Sequence, residues 1–592
     1  MKRVSDFKPL KRVLLPELGP LECTGLVLIV GPNSSGKSQL LQDLYHRVAG
    51  QPRKLVVAEA IDVEKPADID PFIECLVNDG YMARLTDGGV EQLRPQTTYV
   101  GFGQSGNQIS VPQARQWWAT WDAAAASETG TSGSFLGHFG RFLVTALFLD
   151  RRLMSLNQVS MFDHESTPPQ NELQALYIND AARAELLAET IKTFSKAVWP
   201  DASRGSLLCL RVSDDPSDVT PPQMLSPTAA SRYRTIETEG DGLKSYVATC
   251  LALLLGRRPL CLLDEPELCL HPPQAHNLGR FIGHFGADRD RATVVATHSS
   301  HILRGVIEAT QDLQIIRLNR RGSAFAAHRV PSTVIADVLK KPTVRAEAVL
   351  DGIFAESVIV VEADGDRTVY QAALETLGNE VTLDIHFTAV GGVGGIADTC
   401  RLYAALRIPV AVIADLDIVT QVERLEAIVS VLADEQTNAG ILQQAKLVAA
   451  AVKALPPEIT AESLREQLDQ ACALEMDWSK NDDAALRSKL SELAKALDRM
   501  RRIKAGGLAA LPQSLGASAA SLVASLAAIG LFVVPVGELE GWLASWPLAV
   551  SKQRKSAWAN AAATKIREVG AQSGDVWAFT RMVAAYLTEP PT

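Results

Sequence analysis

The sequence predicts an α/β protein of two parallel-sheet units, each carrying a helical insertion. Three observations carry that expectation. Apolar runs at 24–30, 259–263 and 293–296 each pass straight into a loop bearing glycines, acids or a histidine. The first of those loops opens a helical stretch. Near Ala355 a second series begins, in the order strand, helix, strand, helix, strand. Continuous apolar runs mark strands buried on both faces, and their alternation with helices marks a parallel sheet built from crossovers.

With 592 residues the chain is too long for a single core. Hydrophobic residues make up 47% and charged residues 21%, the composition of a folded protein. A net charge of -10 excludes a generally basic surface but leaves room for a local basic patch on nucleic acid. The basic clusters Arg151-Arg152, Arg257-Arg258, Arg320-Arg321, Lys340-Lys341 and Arg499 to Lys504 read as solvated surface rather than a DNA groove. None of the eight cysteines has C-x-x-C spacing, which argues against zinc and suits a reducing cytoplasm. Lys2 and Arg3 are not followed by an apolar stretch, so no signal peptide is expected. The longest apolar stretch, Ser521–Val536, is shorter than the roughly 20 residues of a membrane helix. A soluble, cytoplasmic protein with no membrane partner is expected.

In the first unit, residues 24–30 form a buried strand and Gln39–Arg47 a helix. Short strand signals follow near Lys54–Ala58 and Thr97–Gly103. A helical stretch with Trp117, Trp118 and Trp121, a Gly/Ser/Thr loop at Ser127–Ser134, and helices over Phe139–Leu149 and Asn171–Val198 make about 105–205 a mostly helical insertion. Asp214–Pro227 reads as a loop, Gly242–Leu255 as a helix, and 312–330 as an antiparallel end to the sheet. The expected boundaries are 1–335 for this unit, 336–352 for a linker and 353–592 for the second unit. There, strands at Ser357–Val361, Thr382–Ala389 and Pro409–Ala414 alternate with helices, a helical insertion fills 421–529, and Leu531–Val536 returns as a strand.

Gly31-Pro32-Asn33-Ser34-Ser35-Gly36-Lys37-Ser38 lies between a strand and a helix and matches the phosphate-binding loop in full. Backbone N–H groups of such a loop turn toward phosphate, Lys37 neutralises the β- and γ-phosphates, and the Ser38 hydroxyl ligates Mg²⁺. Asn33, Ser34, Ser35, Gly36 and Gln39 complete the expected ATP contacts. Asp264 and Glu265 end the strand 260–263, where Asp264 would hold Mg²⁺ through water and Glu265 would polarise the attacking water. His298 ends the next strand, in reach of a γ-phosphate.

GPNSSGKS, LLDEPELCLHP and ATHSSHIL, in this order, resemble the ABC-type ATPases of the overcoming-lysogenization-defect (OLD) kind over roughly residues 20–330. The resemblance implies a head that pairs with a second copy, so that a signature loop of one head caps the γ-phosphate held by the other. Its counterpart here is Glu239-Gly240-Asp241-Gly242-Leu243-Lys244-Ser245, opening a helix whose N-terminus suits an anion. Gly240 stands where a serine is common, so the contacts would come from backbone amides of Gly240, Asp241 and Gly242 or from Ser245. The family's glutamine loop has no identifiable counterpart.

In the second unit Glu362, Asp415 and Asp417 sit at strand ends that converge on one sheet edge. Carboxylates so placed can hold Mg²⁺ or Mn²⁺ for phosphodiester cleavage. Glu362-x3-Asp366 followed by Asp415-x-Asp417 resembles the Toprim fold of topoisomerases, primases and OLD nucleases, with Ala363 where glycine is usual. The resemblance implies metal ligands at Glu362, Asp366, Asp415 and Asp417, and a late acidic element at Val536–Glu540 with Glu540 the favoured ligand. A late lysine often assists, for which Lys552 and Lys555 are candidates. The reading is an OLD-type ATPase–nuclease, a homodimer or larger assembly acting on DNA, often in antiphage defence. Its rival is a regulatory ATPase scaffold that sequesters or activates a separate effector, such as a toxin or a helicase partner, without cutting. No heptad arms support a third, SMC-like repair reading.

Overall fold

A computed structural model of the chain describes all residues except 1–3, 5–6, 52, 97–107, 122–133, 150–151, 217–226, 257, 289–290, 331–346, 457–458, 474–483, 498–502, 505, 547, 553 and 589–592. The chain divides into two compact units, Met1–Ala336 and Asp337–Thr592.

The first unit is organised by a six-stranded sheet. Its elements, in chain order, are β1 (Gly25–Val30), α1 (Lys37–Val48), β2 (Val144–Leu147), α2 (Asp241–Leu255), β3 (Leu260–Asp264), α3 (Pro272–Gly286), β4 (Ala292–Ala296), α4 (Ser300–Ala309), β5 (Leu313–Arg321) and β6 (Ala324–Val330). The strand order is β6-β5-β1-β4-β3-β2, with all neighbours parallel except the β6–β5 edge pair. Every residue of β1 and β2 is buried, as a parallel strand covered on both faces requires. Register places Asp264 beside Ala296 and Ala296 beside Ile29, so three strands deliver their following loops to one edge. That edge is where a doubly covered sheet keeps its site.

Three smaller antiparallel sheets surround this core: Leu10–Leu15 with Gly19–Leu21 and Ala60–Val63; Met82–Asp87 with Val90–Pro95 and Ile109–Ser110; and Leu207–Ser213 with Ala197–Asp201, Arg234–Thr235 and Val159–Ser160.

Two expectations for this unit are corrected. The described part of 105–205 holds more helix than strand, but the helix expected over Phe139–Leu149 is not formed, and strands tie the stretch into the sheets. Val144–Leu147 is a strand of the core sheet, and Ala197–Asp201 is a strand of another. Val-Thr-Ala-Leu is too short for periodicity to separate helix from buried strand, and pairing with β3 decides it. Lys54–Ala58 is not a strand either; the nearest is Ala60–Val63. The Asp43 carboxylate takes the N–H groups of Val56, Val57 and Ala58, and so withdraws those donors from any ladder. The expected strand at Thr97–Gly103, most of the Ser127–Ser134 loop and most of the 336–352 linker lie outside the described residues.

The second unit carries β7 (Ser357–Val361), α5 (Asp364–Leu377), β8 (Ile385–Ala389), α6 (Ile396–Ala405), β9 (Val410–Ala414), α7 (Gln513–Ala528), β10 (Leu531–Val533), α8 (Lys555–Val569) and α9 (Asp575–Thr588). The sheet order is β8-β7-β9-β10, all parallel. Between β9 and α7, the described residues of the insertion form helices at Val422–Leu432, Glu435–Ala454, Ala461–Cys472 and Ala484–Leu497. α5, α8 and α9 bury Val369, Tyr370, Trp558, Trp577 and Phe579 against Ile359, Ile413 and Phe532 of the sheet. Burial of each such side chain contributes about 1.5–3 kcal/mol, which holds this face of the sheet rigid.

Candidate ATP and Toprim sites

The phosphate-binding loop joins β1 to α1. Gly31 has φ +144° and Gly36 φ +96°, and a Cβ on Gly31 would lie 2.1 Å from Leu318 O. Only glycine fits that approach. Lys37 is buried, and its ammonium donates to Gly31 O at 2.9 Å and Pro32 O at 2.8 Å. Burial lowers its pKa, opposed by Glu265, Glu267 and Asp264. Ser38 Oγ donates to Asp264 Oδ1 at 2.8 Å, uniting the two residues expected on Mg²⁺. Burial raises the Asp264 pKa against that bond. Ser35 Oγ is buried without a hydrogen-bond partner. An orphaned hydroxyl beside a buried ammonium fits a phosphate group. Asn33 and Ser34 are exposed, while the Gln39 amide is spent on Asp43 at 3.1 Å.

Glu265 has φ +46°, a left-handed conformation uncommon outside glycine and concentrated at functional sites. Its Oε1 lies 3.4 Å from His298 Nδ1. Hydrogen bonding to His298 lowers the Glu265 pKa, and the same bond raises that of His298. The sequence reading missed Glu267. This buried carboxylate accepts from Thr297 Oγ1 at 2.7 Å and from the His298 N–H at 2.9 Å, and it lies 3.3 Å from His298 Nδ1. It pins the loop after β4 to the loop after β3. The cue was the third acid in Asp264-Glu265-Pro266-Glu267.

Arg152 was also missed, having been assigned to the surface. It is 2% exposed, donates to Ser245 Oγ at 2.8 Å and also to the Asp264 carbonyl. Arg258 is likewise buried and donates to Val144 O at 2.8 Å. Ser245 is therefore turned inward onto Arg152. Any contact of the signature segment with a neighbouring nucleotide falls to Gly240, Asp241 and Gly242, of which Gly240 and Asp241 are exposed.

In the second unit, β7 and β9 end at Glu362 and Asp415, side by side. The Asp415 N–H donates to Glu362 Oε1 at 3.4 Å. Gly391-Gly392 follows β8 with φ +70° and +125°, and the Gly392 N–H donates to Glu362 O at 2.8 Å. Desolvation, then the charges of Asp366, Glu362 and Asp417, push the Asp415 pKa up to about 8. Desolvation and Asp417 raise Glu362, and desolvation brings Asp366 to about 6. One Asp366 oxygen accepts from the Ala363 N–H at 3.0 Å, capping α5. Glu540 is 3% exposed, as a ligand facing inward would be. Hard oxygen donors that repel one another where they stand fit a divalent cation. Among the described residues, no three of these side chains are gathered closely enough to form a finished cage.

The late lysines sort differently from expectation. Lys555 lies 3.7 Å from Glu538 and 3.9 Å from Glu540, at 70% exposure. Lys552 is exposed, and among the described residues nothing ties it to the acids. The nearest ammonium is Lys504, at 2.6 Å from Asp417 Oδ2. It ends the basic cluster Arg499 to Lys504, which the sequence assigns to solvated surface, and it lies 87 positions beyond Asp417 within the insertion.

The family model "Overcoming lysogenization defect protein-like, TOPRIM domain" matches residues 353–417, and "AAA domain, putative AbiEii toxin, Type IV TA system" matches 119–304. The chain joins an ATPase domain to an OLD-like Toprim domain. No curated protein matches the chain. Among solved structures, it is similar to an Smc head bound to the C-terminal winged-helix domain of ScpA, at 12% identity and TM-score 0.32 over 56% of this chain and 100% of that one. It is also similar to the SMC head of Thermotoga maritima, at 14% identity and TM-score 0.26 over 55% and 100%. A third similarity is to an Smc head with an extended coiled coil from Pyrococcus furiosus, at 11% and 0.30 over 56% and 98%. The Toprim match ends at Asp417, so the acids Glu538 and Glu540 of the OLD-like domain are placed by the fold alone.

Proposed function

We propose that the protein is an ATP-hydrolysing, metal-dependent DNA endonuclease in which ATP drives pairing of two ATPase domains and pairing controls access of DNA to the Toprim site. The observation that carries the reading is the convergence of Glu362, Asp366, Asp415 and Asp417 on one edge of a parallel sheet. A bound Mg²⁺ or Mn²⁺ supplies Lewis-acid activation of water and charge for the phosphodiester. The chain itself orients the ligands: the Asp415 N–H steadies Glu362, and the Ala363 N–H steadies Asp366. In the ATPase domain, Lys37 and Ser35 receive phosphate, Ser38 and Asp264 hold Mg²⁺, and Glu265, oriented by His298, takes the proton of the attacking water. A homodimer and a role in antiphage defence belong to this reading.

A second reading is an ATPase scaffold whose Toprim domain binds a partner without cutting; among the described residues no three candidate ligands form a ready cage, which favours it. Plasmid DNA incubated with the protein, Mg²⁺ or Mn²⁺, with and without ATP, separates the two. Cutting that disappears in Asp415→Ala/Asp417→Ala is expected, and the ATP lanes give the sign of control. Intact plasmid in every lane, with ATP hydrolysis retained, would leave the scaffold.

A further inference from the structure

The Toprim site carries a cation of its own. Lys504 Nζ lies 2.6 Å from Asp417 Oδ2, and its charge also acts on Glu362 and Asp415. The lysine comes from the far end of the helical insertion, and backbone packing fixes where it arrives. Gly537 has φ +100°, and a Cβ there would lie 2.1 Å from Lys504 O and 2.7 Å from its carbonyl carbon. The Leu508 N–H donates to Pro535 O at 3.0 Å, and the Leu416 N–H donates to Gly537 O at 2.9 Å. One glycine turn is thus pressed against the Lys504 segment on one side and bonded to the Asp415–Asp417 loop on the other. The backbone that carries the ammonium is thus fixed beside the site, and the side chain is 36% exposed.

An ammonium and a divalent cation compete for the same carboxylate lone pairs. We propose that Lys504 occupies the Asp417 position as a fixed monovalent cation, so that the Toprim site takes one tightly held divalent ion, on the Glu362–Asp415 side, instead of two. The inference rests on the reading of this site as a metal centre. A lysine supplies charge near a phosphodiester but cannot ionise water as a metal does. All activation of water then falls to the single ion.

The test is a Mn²⁺ titration of the full, nucleotide-free chain, followed by electron paramagnetic resonance of free Mn²⁺. Wild type should bind one tight ion that Asp415→Asn/Asp417→Asn loses. Lys504→Gln and Lys504→Ala should bind a second ion, or bind it at least tenfold tighter, and Lys504→Arg should keep one. Two ions in wild type, both lost in the carboxylate variant, would overturn the inference while leaving the metal centre standing. So would Lys504→Gln binding no more than wild type with a native circular dichroism spectrum. Equal binding by wild type and the carboxylate variant would overturn both.

Discussion

Glu265 and Asp415 are both acids at strand ends, yet their surroundings push them in opposite directions. Glu265 is held ionised by His298, as a group that must accept a proton from water requires. Glu265→Gln should keep ATP affinity within about threefold while lowering kcat by about 10²–10³, the loss typical of removing one group that acts in the transition state. Calorimetric ATP binding beside steady-state hydrolysis checks this, and wild-type turnover would remove Glu265 from its role. Asp415, at about 8, behaves in the reverse sense. Its folded pKa lies above the unfolded value near 3.9, so its contribution to stability is complete below that value and is lost as pH rises through about 8. Without metal, the melting temperature should fall between pH 5 and 8.5, and Asp415→Asn should flatten that fall. Mn²⁺ should raise the melting temperature more at pH 8.5 than at pH 6, because binding then displaces no proton.

At the scale of elements, both sites are made by loops that leave parallel strands at one edge, and each loop is tied to its neighbour. The Glu265 N–H donates to Ala296 O at 2.8 Å, and Glu267 bonds the loop after β4. In the Toprim domain the Gly537 turn performs that function. Gly537→Ala sets a Cβ against Lys504 backbone in a left-handed conformation, and both effects are unfavourable. A loss of roughly 2–4 kcal/mol is expected in denaturant unfolding, with cleavage falling more than ATP hydrolysis. Equal stability of the variant would show that the Lys504 backbone is not clamped as described.

For the whole molecule, the proposed ATP-driven pairing would link the two proposed activities. In the proposed pairing the exposed residues Gly240 and Asp241 would face the second copy, while Ser245 is committed to Arg152. Glu265→Gln with ATP and Mg²⁺ should therefore double in mass by light scattering, and Lys37→Ala should not, since it lacks the ammonium that meets the phosphates. An unchanged mass for Glu265→Gln saturated with ATP would separate nucleotide binding from pairing. Among the described residues no helix is long and apolar enough to cross a membrane.

The sequence by itself determined the phosphate loop, the Asp264-Glu265 and His298 strand ends, and the Glu362 and Asp415-x-Asp417 acids. Each lies within a few residues of a continuous apolar run, so local pattern and chemistry coincide. Tertiary structure alone decided the strand at Val144–Leu147, the burial of Arg152 and the place of Lys504. In those cases the determining partner is far along the chain: β3 for the strand, Ser245 and Asp264 for the arginine, Asp417 and Gly537 for the lysine. A charged residue reads as solvated until a fold brings it a buried acceptor, and no local periodicity encodes that meeting.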